Sequence, residues 1–170
     1  VKERLTVVQI VGYKKTGKTT LVCDLAERFA GLGLRVGTVK HDGHDFDPDV
    51  PGTDSWKHRR AGAAVTAVVS ARRTAWFEER PSELDDVLSR MAGRVDLVLV
   101  EGWKREKYPK LALAHSAEQL SLLNELDGVI AAASWDAATR ETLAREGRLP
   151  TFDFGETERI AAYLIERLKH

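Results

Sequence analysis

Cys23 is the only cysteine in the chain, so an intrachain disulfide is excluded and a thiolate zinc site would lack partners. A reducing compartment is the natural home for such a sequence. An excess of charge of either sign is missing too. Lys plus Arg and Asp plus Glu each total 26, so the whole chain carries no field that would hold nucleic acid or an anionic membrane non-specifically. Any cationic site must be local. Long apolar runs are absent as well: Leu5–Val11 is too short to cross a bilayer and passes at once into Gly and Lys, without a small-residue cleavage pattern. No targeting segment is read there, and a cytoplasmic location is expected. Internal repeats and low-complexity tracts are also lacking.

What is present is the composition of a globular chain, 43% hydrophobic and 31% charged over 170 residues, enough for one domain spanning 1–170. The β-branched run 5–11, bounded by Gly12, predicts a strand buried on both faces. Leu21, Val22, Leu25, Phe29 and Leu32 recur at helical spacing, with Gly31 and Gly33 ending the run. A second strand over 35–40 completes a βαβ unit with a right-handed crossover. Residues 41–53, rich in Asp, Gly and Pro, predict a long functional loop. A short helix over 54–62, strands over 64–70 and 75–78, and a helix over 82–91 follow. Residues 95–101 predict a second long buried strand ending in a carboxylate. Strands over 111–114 and 128–133 and helices over 137–146 and 156–168 close the list. Alternating strands and helices imply an open, mostly parallel sheet covered on both faces.

Gly12-Tyr13-Lys14-Lys15-Thr16-Gly17-Lys18-Thr19 fits G-x-x-x-x-G-K-[ST] between a predicted strand and a predicted helix. That placement aims consecutive backbone N–H groups and a helix N-terminus at one point, which is what a polyphosphate needs. Lys18 would reach the β- and γ-phosphates, and the Thr19 hydroxyl would ligate Mg²⁺. Glu101, at the carboxyl end of a buried strand, is placed to hold the magnesium through water or to orient an attacking water. Its other reading is a carboxylate capping the next turn. Asp42 ends the second strand and would lie by the metal if that strand neighbours the first. His41, His44, Asp45 and Asp47 stand in the same loop, as a solvated ligand-contacting segment or as donors to a transition metal.

Five segments in order carry a more specific likeness: residues 12–21, Val-Lys-His-Asp-Gly-His-Asp at 39–45, Pro-Gly-Thr-Asp-Ser-Trp at 51–56, Arg-Arg-Ala-Gly-Ala at 59–63, and Val-Glu-Gly-Trp-Lys at 100–104 with Pro109-Lys110. Together they resemble the MobB family of molybdopterin-guanine dinucleotide biosynthesis adaptor proteins. The resemblance implies a P-loop NTPase-like three-layer α/β fold, GTP and Mg²⁺ as ligands, weak GTPase activity and a homodimer. It also implies the guanylyltransferase MobA, and molybdopterin or its guanine dinucleotide product, as partners. Carried over by position, the nucleotide site is Gly12, Lys15, Thr16, Gly17, Lys18, Thr19 and Thr20, with Glu101 at the second acidic position; the reading of the residues themselves adds Lys18 and Glu101 in the catalytic roles and Thr19, Glu101 and Asp42 toward the metal. Many relatives of the wider class have a Lys five places before the motif Lys, where Tyr13 stands here.

The guanine-reading Asn-Lys-x-Asp pattern is absent. Asp136 in Ser134-Trp135-Asp136 is either a guanine acceptor or a helix N-cap. Trp56, Trp76, Trp103 and Trp135 would either stack on a pterin or a base or serve as partial core. Arg59 and Arg60, Arg72 and Arg73, and the basic stretch 104–107 offer phosphate or acidic-partner contacts, or plain solvated faces. The alternative function is a P-loop small-molecule kinase, which would need an Arg-bearing lid; Arg140 and Arg145 are the residues for it.

Overall fold

A computed structural model describes residues 5–147 and 149–168. In chain order the elements are β1 (Thr6–Gly12), α1 (Lys18–Gly31), β2 (Val36–Lys40), α2 (Asp54–Arg60), β3 (Val65–Val69), β4 (Thr74–Glu78), α3 (Leu84–Met91) and β5 (Leu97–Glu101). They continue with β6 (Lys110–Leu113), a 3-10 turn over Ala117–Leu120, α4 (Ser121–Glu125), β7 (Val129–Ser134), α5 (Ala137–Glu146), β8 (Thr151–Asp153) and α6 (Thr157–Leu168). Two compact units emerge: residues up to His41 with those from Val87 onward, and Asp42–Asp86.

The first unit is built on a six-stranded sheet in the order β2-β5-β1-β6-β7-β8. All its neighbouring pairs are parallel. Parallel strands bury both faces, and the sequence obeys: all five residues of β5 are buried, as are the five central residues of β1. Val8, Ile10, Leu99, Leu111 and Ala133 point to one face, where Leu21, Leu25 and Phe29 of α1 and Ile160 and Leu164 of α6 complete a continuous core. Each such Leu or Ile contributes about 1.5–3 kcal/mol on leaving water. On the opposite face a Cβ added at Gly37 would come within 3.1 Å of Met91 Sδ, so a glycine lets α3 close on β2.

Strand order departs from chain order at one place that matters. β5 is paired with both β1 and β2, so the βαβ unit of 5–40 spans a gap that the later strand fills. The condition that placed Asp42 by the metal, adjacency of β1 and β2, is therefore not met. β8, the 3-10 turn and α4 are elements that periodicity does not predict.

In the second unit, α2 is capped by Thr53, whose side chain accepts from the Trp56 amide. β3 and β4, the two short strands expected over 64–70 and 75–78, pair as an antiparallel hairpin with the four residues 70–73 between them. Arg59 binds the unit together: its guanidinium pairs with Asp47 at 2.7 Å, Asp49 at 3.4 Å and Glu79 at 2.6 Å and lies 5.1 Å from the Phe77 ring centroid. Of its two readings, phosphate contact or solvated face, Arg59 fits neither. It is a half-buried structural cation tying three carboxylates together. Asp42 opens this unit, and its carboxylate accepts the His44 amide at 3.2 Å. Among the described residues no cluster of three or more His, Cys, Asp or Glu is placed to hold a metal, and no helix is long and apolar enough to cross a membrane.

Candidate functional site

β1 ends at Gly12 and α1 begins at Lys18, so the intervening turn is the predicted glycine loop. Its backbone takes conformations that L side chains resist: Lys15 has φ 61° and Gly17 φ 87°. Space as well as torsion requires the glycines. A Cβ at Gly12 would lie 2.7 Å from the Leu113 carbonyl oxygen, and one at Gly17 would lie 2.8 Å from the Phe154 ring. The buried Thr16 donates its hydroxyl proton to the Tyr13 carbonyl at 2.9 Å, tightening the loop.

Lys18 folds back across this turn. Its ammonium donates to the carbonyls of Gly12 at 3.2 Å and Tyr13 at 2.6 Å. Burial lowers its pKa below the ordinary lysine value, with the Glu101 charge opposing that shift and Lys40 and Lys104 reinforcing it. The next residue reaches the adjacent strand: the Thr19 hydroxyl stands 3.0 Å from both carboxylate oxygens of Glu101. Glu101 is the last residue of β5, only 8% exposed, and directly opposite Lys40 in the β2–β5 ladder. Lys40 Nζ lies 3.0 Å from Glu101 Oε1. One buried carboxylate thus collects a hydroxyl and an ammonium beside the loop. Thr20 is exposed on the first turn of α1.

Behind Glu101 the chain turns sharply, with φ 95° at Gly102 and φ 48° at Trp103. Gln9, fully buried in β1, holds that turn by donating to the carbonyls of Gly102 at 3.1 Å and Trp103 at 2.6 Å. An amide side chain in the middle of the apolar run 5–11 is the sequence signal for it. The turn brings the Trp103 ring to 4.7 Å from the His41 ring and Lys104 to 6.0 Å from the Tyr13 ring, forming a cleft lined by Gly12, Lys14, His41, Trp103, Lys104 and Arg105. The basic stretch 104–107 therefore begins at the loop.

On the other side of the loop stand Trp135 and Phe154, stacked with centroids 3.7 Å apart. Asp136 takes the N-cap geometry of α5, accepting from the Thr139 amide at 2.8 Å and hydroxyl at 2.6 Å. Thr139 holds its pKa below the usual carboxylate value. The kinase alternative needs Arg140 as a lid residue. Its guanidinium is instead anchored to the carbonyls of Ser134 and Trp135 at 2.9 Å each and to Asp153 at 2.8 Å.

The family model described as MobB, Molybdopterin guanine dinucleotide synthesis protein B, matches residues 7–135. The chain belongs to this family. The stretch matched runs from β1 through the glycine loop and Glu101 to Trp135. Among relatives, the molybdopterin-guanine dinucleotide biosynthesis adapter protein of Escherichia coli K12 is 35% identical over 97% of this chain and 94% of its own. The solved MobB of Bacillus subtilis superposes with a TM-score of 0.78 at 28% identity, covering 96% of this chain and 98% of that one. A MobB homolog from Bacillus stearothermophilus gives 0.72 at 32% identity, covering 96% and 97%. The P-loop NTPase-like fold expected from the sequence is the fold found, with its central sheet wholly parallel.

Proposed function

We propose that the chain binds GTP with Mg²⁺ at the phosphate loop and hydrolyses it slowly. As an adaptor it assists the guanylyltransferase MobA in attaching GMP to molybdopterin, and molybdopterin or the guanine dinucleotide is its further ligand. The observation that carries the nucleotide part is the junction of Thr19 and Glu101, because it sets a hydroxyl and a buried carboxylate at the mouth of a glycine loop. Hard oxygen donors of that kind suit Mg²⁺, which keeps most of its waters and binds through one or two carboxylates plus substrate phosphates. Thr19 and Glu101 would hold it, and bound there it would neutralise charge developing on the β- and γ-phosphate oxygens. The loop amides orient the polyphosphate, Lys18 supplies a point charge on its outer phosphates, and Glu101 aligns a water by accepting its proton in a hydrogen bond.

The adaptor part rests on the family and its named relatives. Work in the cytoplasm accords with a single, unpaired, exposed thiol at Cys23. A homodimer is supported by one face of the β3–β4 hairpin, where Val65, Val69 and Trp76 are 44%, 72% and 60% exposed. Apolar faces of this kind mark protein contacts. Light scattering is expected to give twice the chain mass, and Trp76→Glu to halve it; a wild-type monomer across the micromolar range removes the dimer.

Titration calorimetry with GTP and Mg²⁺ tests the nucleotide reading. Lys18→Ala is expected to abolish measurable binding while the melting temperature stays within a few degrees, roughly, of wild type. An unchanged binding isotherm for that variant would contradict the role of Lys18.

A further inference from the structure

Trp135 follows the carboxyl end of β7, two strands from β1 in a parallel sheet, and ligands of such sheets gather at that end. One face of its indole is closed by the buried Phe154 ring, 3.7 Å away and 18° from coplanar. Yet the residue is 51% exposed, so the opposite face and edges are open to solvent. A core tryptophan would be closed on both sides. The main chain that carries the ring is also tied down: Arg140 donates to the Trp135 carbonyl, the Phe154 amide donates to the Ser134 carbonyl at 3.2 Å, and Asp136 caps α5 immediately after it. Its indole nitrogen would stand 3.3 Å from a Cβ at Gly17, which puts the open ring beside the phosphate loop.

We infer that Trp135 is the stacking platform for the nucleobase of the triphosphate whose phosphates the loop holds, with Phe154 as its backing. The inference rests on the nucleotide reading of the loop. A rigid indole offers a large flat surface at small entropic cost, and stacking accepts any base because every base has a π-face. Asp136, the carboxylate next to it, caps α5 through Oδ2, while the platform, acting by stacking, grips adenine and guanine by the same contact. Trp135 is then a determinant of affinity for nucleoside over bare polyphosphate, and guanine preference has to come from elsewhere.

Calorimetric titrations of GTP, ATP and inorganic tripolyphosphate with Mg²⁺ separate these roles. Trp135→Ala is expected to weaken GTP and ATP binding alike by about tenfold, since stacking is worth that order. Tripolyphosphate affinity should stay at its wild-type value, and Trp135→Phe should recover most of the nucleotide affinity. Wild-type nucleotide affinity in Trp135→Ala would overturn the platform, and so would an equal loss for all three ligands, which would mark a structural role. Failure of the wild-type protein to bind even tripolyphosphate would instead overturn the loop reading, and the platform with it.

Discussion

The carboxylate of Glu101 faces a hydroxyl and an ammonium and keeps only 8% of its exposure. Replacing it by Gln keeps the shape and an acceptor but removes the charge that balances Lys40. For a carboxylate acting on the metal directly or through water, the expected loss of Mg²⁺-supported GTP affinity is about ten- to a hundredfold. Titrations with Mg²⁺ and with chelator show it, since only the former should change; an equal Mg²⁺ effect in Glu101→Gln would exclude Glu101 from the metal site. At this scale the sequence was legible where chemistry and backbone demand coincide, as at Gly12, Gly17, Lys18 and Thr19. It was opaque where a side chain is satisfied by main chain alone. Lys110 stands just ahead of the strand expected over 111–114, yet it is 1% exposed, its ammonium held by the carbonyls of Glu106 and Tyr108 and its pKa lowered by burial. Gln9 and Arg59 were hidden for a different reason: the Gly102 and Trp103 carbonyls that Gln9 meets, and the Glu79 carboxylate that Arg59 meets, are brought near only by the fold.

The junction of β1, the loop and α1 depends on an N-cap that has no side chain to cap with. Gly17 occupies that position at φ 87°, and its Cα is packed against Phe154. Gly17→Ala combines a left-handed torsion with a Cβ 2.8 Å from an aromatic ring, so it should cost about 1–3 kcal/mol of stability and most of the triphosphate affinity. Parallel denaturant melts and GTP titrations would show both; a variant as stable and as tight as wild type would mean that the strained turn is dispensable. β1 and β5 were readable because burial on both faces writes an unbroken apolar run, and α1 and α6 because burial on one face writes a helical period. β8 was not, because its three residues are too few to show a period. That small strand nevertheless leads into Phe154, one half of the aromatic pair at the loop.

Across the whole molecule, carboxylates set the response to acid. Arg35 holds the Asp96 carboxyl below its usual range, Thr139 does so for Asp136 and Arg59 for Asp47, while the Asp153 amide and Arg159 act on Glu156. Each group therefore binds a proton more readily unfolded than folded. Stability from these contacts is complete above the ordinary carboxylate pKa and is lost as pH falls through the lowered native values. Melting temperature should be level from pH 7 to about 5 and fall below about pH 4; a profile that stays flat to pH 3 would show that these pairings add nothing. Strand order was the large feature that the sequence did not disclose, since nothing in residues 5–40 indicates that β5 separates their two strands. That insertion also has a consequence in time. A nascent chain emerging from the ribosome through Lys40 carries two strands with no ladder between them, and the segment that joins both arrives only with residues 97–101. Translation must carry the phosphate loop unsheltered until then, open to proteases and chaperones. Ribosomes stalled before residue 97 should display a loop that is cut readily, and those stalled past residue 160 one that is protected.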